Sequence, residues 1–166
     1  MRKGHHVMFA FLLCSCLVWA QRAQPGVLSA DELKHAVPSG YFFDGQSAPV
    51  EMRNSAGFRT ADGKLVLAGL VDTSGYATNV QQKYEGFFIT QVKLSIGGST
   101  LDPGAYGFGF TKDGTFLVMN VAATEMLSAA SMNDEKLAHP VPLKMMQDAD
   151  GYRLYHGRNY VTLKTQ

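Results

Sequence analysis

Beyond residue 20 the chain has no cysteine and no tryptophan: Cys14, Cys16 and the single Trp19 all fall within the first twenty positions. A disulfide framework is therefore excluded for everything that follows, whatever the compartment, and stability has to come from a buried core. A chain of this length buries roughly 70% of the surface its unfolded form exposes, enough to fold without cross-links or metal. An excess of either charge is missing too. Fifteen Lys and Arg stand against fourteen Asp and Glu, a formal net charge of +1, with no block of like charge. Such a balance supplies no field to gather nucleic acid or an anionic membrane, so neither is expected as a partner. After the N-terminus no apolar run approaches the about 20 residues of a membrane-crossing helix.

The N-terminus itself reads MRKGHHVMFAFLLCSCLVWAQ. Arg2 and Lys3 precede an apolar run from Val7 to Trp19, and Val18 and Ala20 stand three and one positions before a cut at Ala20/Gln21, the pattern a leader peptidase reads. Residues 1–20 are thus expected to be a cleaved signal peptide and the protein to be exported, periplasmic or extracellular. Loss of Arg2 and Lys3 would bring the formal charge to −1. Leu13-Cys14-Ser15-Cys16 offers an alternative, lipidation at Cys16 and a membrane tether. Residues 21–27, with Pro25-Gly26, read as a flexible lead-in to a single domain spanning 28–166.

Ser29-Ala30-Asp31-Glu32 has the form of a capping box, with Leu28 and Leu33 as its apolar staple, and Pro38 stops the resulting helix after about two turns. From Tyr41 the pattern becomes extended. Asp-Gly recurs at Asp44-Gly45, Asp62-Gly63, Asp113-Gly114 and Asp150-Gly151, joined by Gly97-Gly98; such pairs supply the positive φ angles of tight hairpins. Strands are expected at Lys64–Asp72, Gly86–Ile96, Ala105–Thr111, Thr115–Ala122, Pro142–Gln147, Tyr152–His156 and Asn159–Lys164. Phe88, Val92, Leu94 and Ile96 share one face of the second of these. Gly107 and Gly109 alternate with Tyr106, Phe108 and Phe110, which predicts either sharp bending of the strand or close approach by another element. Thr115 to Val121 is apolar on both faces, as for a strand covered on both sides. Thr124 to about Met132 reads as a second helix, with Thr124 as its cap and Glu125 at its positive end. The expected fold is mostly β: a single antiparallel barrel or sandwich of about seven to nine strands with one or two short helices.

Recognisable chemistry is sparse. His35, His139 and His156 are isolated, with no ligand spacing for zinc or iron, and no cofactor is expected. Asp148-Ala149-Asp150-Gly151 resembles the start of a calcium loop, but Tyr152 and Asn159 occupy ligand positions, and a hairpin turn is the better reading. There is no nucleophile elbow, phosphate loop or dinucleotide fingerprint. Paired acids for sugar cleavage would have to come from Glu51, Asp72 and Glu85, which as strand residues are expected to face water. The densest polar-aromatic stretch is Gly151 to Tyr160. Alternation puts Arg153 and Tyr155 on one side and Tyr152, Leu154 and His156 on the other. Arginine beside tyrosine suits a carboxylate, sugar or aromatic ligand, although cross-strand packing accounts for the same residues. The Tyr106/Phe108/Phe110 stripe either lines a cavity or fills the core. Candidate ligand contacts are accordingly Tyr106, Phe108, Arg153, Tyr155, His156 and Arg158.

Leu101-Asp102-Pro103-Gly104-Ala105-Tyr106, followed by Gly107-Phe108-Gly109-Phe110, resembles the Leu-Pro-Ala-Gly-x-Tyr hairpin of a group of secreted bacterial β-domain proteins of uncharacterised function. Pro140-Val141-Pro142-Leu143 and Tyr152-Arg153-Leu154-Tyr155 are similar to their later strands. The likeness covers about the last 70 residues and is structural, a proline-glycine turn entering a strand; Asp102 stands where the pattern has proline. It implies an exported β domain and transfers no catalytic residue. Three functions remain open: a module binding a small apolar or aromatic ligand or an envelope protein, a hydrolase or isomerase assembled only in three dimensions, and a structural assembly unit.

Overall fold

The computed structural model describes residues 24–166; the leader, its cut after Ala20 and the Cys16 anchor lie outside the described residues. Gly26–Val27 forms strand β1, paired antiparallel with Arg59 and Phe58. The lead-in expected to run through residue 27 therefore ends earlier, because these backbone groups find partners in a neighbouring strand. Helix α1 (Ala30–Ala36) starts on the expected capping box: Glu32 N donates to Ser29 Oγ at 3.3 Å, and Ser29 N donates to Glu32 Oε2 at 2.9 Å. Leu28 and Leu33 are both buried, and Arg59 holds Glu32 at 3.0 Å, tying the helix to the strand beneath it.

Strands β2 (Gly40–Phe43) and β3 (Gln46–Arg59) form a hairpin. Its turn has φ 47° at Asp44 and 82° at Gly45, the double positive-φ geometry for which Asp-Gly is favoured. A register shift between Val50 and Ser55 bends β3, so that residues 46–49 pair with β2, and Val50 and residues 55–59 with β4 (Leu65–Val71). A single-turn helix α2 (Thr78–Gln81) leads into β5 (Gly86–Thr90). The strand expected over Gly86–Ile96 is in fact two. Thr90 Oγ1 donates to Val92 O at 2.6 Å and accepts from Val92 N at 3.2 Å, turning the chain out of one sheet and into another at β6 (Leu94–Ile96). There follow β7 (Ser99–Leu101), β8 (Gly104–Phe110) and β9 (Thr115–Met119).

The helix expected over Thr124–Met132 is instead strand β10 (Glu125–Ala130) with β11 (Met132–Asn133). Leu127 and Ala129 are buried while Ser128 and Ala130 are exposed, a two-residue period, and pairing with β9 overrides local helix propensity. Strands β12 (Val141–Asp148), β13 (Gly151–Gly157) and β14 (Asn159–Thr165) complete the chain. Asp148 to Gly151 is the turn between the first two, with Arg153 on Asp148 at 2.7 Å and Lys164 on Asp150 at 3.7 Å. Among the described residues fourteen strands thus stand where about seven to nine are expected, several of them only two or three residues long.

All pairing is antiparallel and falls into two sheets. The larger runs β1-β3-β4-β5-β8-β9-β10 with β2 on β3, and the smaller β12-β13-β14-β6-β7 with β11 on β14. Among the described residues no ladder joins the two, so no closed barrel forms. Phe58, Phe88, Phe108, Phe116 and Leu127 from the larger sheet meet Leu94, Ile96, Leu143, Leu154 and Leu163 from the smaller in one apolar core. The other face of the larger sheet carries a second cluster, where Phe87, Leu67 and Met119 are covered by Leu33 of α1, Tyr41 and Phe43 of β2, and Tyr76 and Tyr84 around α2. The central strands are therefore covered on both sides, as the apolar run in β9 predicts. The close approach expected at Gly107 and Gly109 is also present: the Phe43 ring lies against the first and Lys83 O against the second.

In the second cluster Tyr84 is fully buried, stacked on Phe43 at 3.9 Å. Its hydroxyl makes no hydrogen bond of good geometry among the described residues, although it faces the Tyr76 hydroxyl, which donates instead to the carbonyls of Phe43 and Gln46. A buried unpaired hydroxyl carries an uncompensated desolvation cost of about 1–3 kcal/mol. Tyr84→Phe keeps the stack and removes that cost, and is expected to raise stability by about 1 kcal/mol and Tm by about 3 °C. Differential scanning calorimetry checks this; a drop in Tm would mean that the hydroxyl is paired.

Candidate functional site

The six residues nominated from sequence do not converge. Phe108 is fully buried between the sheets, and Tyr106 lies half-buried beside it, its hydroxyl donating to Asp102 O at 2.9 Å. Arg153, Tyr155 and Arg158 belong to the smaller sheet and its turn, with their polar groups on other protein atoms. Arg153 Nε donates to Asp148 Oδ2 at 2.7 Å, and its guanidinium lies 4.7 Å over the Tyr160 ring. Tyr155 is 2% exposed and donates to Asp134 Oδ2 at 3.1 Å; burial pushes its phenol above the ordinary value. Arg158 gathers the carbonyls of Glu135 at 3.0 Å and Leu137 at 2.6 Å. These side chains hold the 134–137 turn against the sheet.

His156 points the other way, as alternation requires, and stacks on Phe110 with ring centroids 5.5 Å apart. Its Nε2 lies 3.6 Å from Oε1 of Glu85. The partner is one that sequence reasoning placed in water: Glu85 is only 27% exposed, and its Oε2 accepts from Phe110 N at 2.8 Å. Glu51 and Asp72, the other two acids, serve unrelated local contacts with Asn54 and Ser74. The three form no shared site through these bonds. An acid and an imidazole from opposite sheets thus meet at one edge of the core.

Burial pushes the Glu85 carboxyl above its usual range, opposed by the Phe110 amide and by His156. A carboxyl with a raised value in the folded state binds its proton more tightly there than in the unfolded chain. Its contribution is therefore fully present below the unfolded glutamate value of about 4.3 and is lost as pH rises through the folded value. Glu85→Gln removes this titration. The stability of the wild type relative to Glu85→Gln should fall as pH rises from about 4, read from urea denaturation at a series of pH values. A relative stability that climbs with pH would contradict the burial.

Next to this pair lies a surface groove of about 670 Å³, bordered by Gln82, Lys83, Thr111, Lys112, Asp113, Thr115, Leu117 and Ser128. Pairing explains why these distant segments meet. Gly86 lies opposite Phe108, and Leu117 opposite Ser128, so the end of α2, the Thr111–Thr115 turn and the outer face of β9–β10 border one depression. Its floor is Leu117, on the face opposite Phe116 and Val118. Asp113 accepts from Thr111 Oγ1 and from Thr115 Oγ1, bonds that hold its carboxyl below the usual range. Lys83 and Lys112 make no ion pair among the described residues, as is true of Lys136 and Lys144, whereas Lys34, Lys64, Lys93 and Lys164 each do. Neither lysine stood out in sequence, because each is isolated there and only the β5–β8 pairing brings the two to one end of the sheet.

The described residues hold no cluster of three or more His, Cys, Asp or Glu side chains placed to bind a metal, and none of their helices is long and apolar enough to cross a membrane. No known family, curated protein or solved structure matches the chain.

Proposed function

We propose that the chain is an exported binding module: a two-sheet sandwich with a filled interior that takes a small ligand in the Lys83–Lys112 groove. The observation that carries this is the contrast between interior and surface. Between the sheets Phe88, Phe108, Phe116, Leu94, Ile96, Leu154 and Leu163 are all fully buried, which leaves the core to packing, whereas the groove offers space and unspent charge. Export rests on the leader pattern of residues 1–20. The test is native mass spectrometry of protein isolated gently from outside the cytoplasm. A chain beginning at Gln21 and carrying a small-molecule adduct supports the reading; a bare chain with the leader intact refutes it.

The Glu85–His156 pair favours a second reading, an acid–base enzyme, since a buried carboxyl beside an imidazole is what proton transfer uses. Turnover of an ester or lactone that Glu85→Gln and His156→Asn both abolish would displace the binding reading; absence of turnover on such substrates removes the enzyme reading.

A further inference from the structure

Resting on the groove reading above, we propose that the groove is an anion site, holding a small phosphate- or carboxylate-bearing molecule between Lys83 and Lys112, with Glu85 as the residue that positions both. Its wall carries two lysines and one carboxylate, and the carboxylate is already engaged by two threonine hydroxyls. The donors left over are the two ammonium groups, the Gln82 amide and the Ser128 hydroxyl, none of which makes a side-chain hydrogen bond among the described residues. Donors without acceptors over an apolar floor match an anion with a short carbon skeleton.

The backbone segments that carry the two lysines are held together. Lys83 stands two residues before Glu85, and Lys112 two residues after Phe110. Between those roots run three contacts: Phe110 N to Glu85 Oε2 at 2.8 Å, Glu85 N to Phe108 O at 2.8 Å, and Lys83 O packed on Gly109. Glu85 clasps the two walls of the groove from behind, without touching what lies inside it.

Amide NMR of the full chain, titrated at constant ionic strength with inorganic phosphate, succinate and, as a neutral control, glucose, tests both parts. Saturable shifts confined to Gln82, Lys83, Thr111 to Asp113, Leu117 and Ser128 are expected with phosphate or succinate at millimolar concentration, and which of the two binds tighter assigns the acidic group. Lys83→Met and Lys112→Met should each weaken binding at least fivefold. Glu85→Ala should weaken it comparably while the chain stays folded, and Glu85→Gln, which keeps an acceptor for Phe110 N, should restore it. No saturable shift with either anion overturns the ligand class. If glucose or another neutral compound shifts the groove instead, the binding reading survives without the anion; if a broad metabolite screen finds no groove binder, that reading falls as well. Glu85→Ala binding like the wild type overturns the clasp.

Discussion

Gly109→Ala is expected to destabilise the protein by about 3–5 kcal/mol and to lower Tm by about 10–15 °C. A Cβ at this position would press into Lys83 O and sit 2.8 Å from the Lys83 carbonyl carbon and 3.3 Å from Tyr84 N. These are main-chain atoms. No rotamer change relieves the overlap, and either β8 or the segment from Lys83 to Glu85 has to shift. Overpacking of a rigid site costs about 1–3 kcal/mol by itself. The shift also strains two hydrogen bonds, Glu85 N to Phe108 O and Phe110 N to Glu85 Oε2, both at 2.8 Å, each worth about 1 kcal/mol. Gly75→Ala is the control, since its Cβ would meet nothing nearer than 3.9 Å, and it should leave Tm within about 2 °C. Thermal unfolding of the two variants decides it. Equal behaviour would mean that the Lys83–Glu85 segment is not seated on β8, and the positioning argument for the groove would go with it.

How much of this was legible beforehand depends on where each contact is made. The capping box of α1 and the Asp44-Gly45 turn are local, and both were readable because the residues that need each other are three positions apart or fewer. Strands β4, β8, β13 and β14 follow from apolar patterning bounded by turn residues, and β9 from a short run apolar on both faces. Periodicity also explains an error. Phe88, Val92, Leu94 and Ile96 all pack on the same core, although the first belongs to the larger sheet and the last two to the smaller. An alternation that faces a shared core from both sides looks continuous, and the switch at Thr90 leaves no trace in hydropathy. Strand β10 was misread for the opposite reason: Ser128, Ala129 and Ala130 lack contrast between faces, so propensity spoke where pattern was silent. Strand β3 was missed because Pro49 and the charged stretch from Glu51 to Asn54 interrupt it just where it bends. The Gly151–Tyr160 patch was conspicuous because its residues are adjacent in the chain, yet Arg153, Tyr155 and Arg158 are spent on Asp148 and the 134–137 turn, while His156 reaches across to Glu85. Lys83 and Lys112 were inconspicuous because only the β5–β8 pairing brings their segments together.

Phe116→Ala carries the other large expected effect, about 4 kcal/mol, out of a total stability that for a domain of this kind is about 5–15 kcal/mol. Phe116 is fully buried in the middle of an aromatic group, with ring centroids 4.9 Å from Phe110, 5.9 Å from Phe108 and 6.3 Å from Phe88. Truncation removes the ring's transfer energy and leaves a cavity whose walls are other rings, held by sheet backbone on both sides and slow to collapse. Phe116→Leu refills most of the volume and should cost under about 2 kcal/mol. The loss should also reach the edge of the core. Phe110 stacks on His156 and packs on Phe116, so the cavity frees the ring that seats the imidazole beside Glu85. Urea denaturation should therefore show the stability loss, and NMR of the imidazole protons should show His156 losing its ring-current shift in Phe116→Ala but keeping it in Phe116→Leu. A stability loss with His156 unmoved would mean that the Glu85–His156 edge is supported from the smaller sheet alone, and is mechanically separate from the aromatic centre.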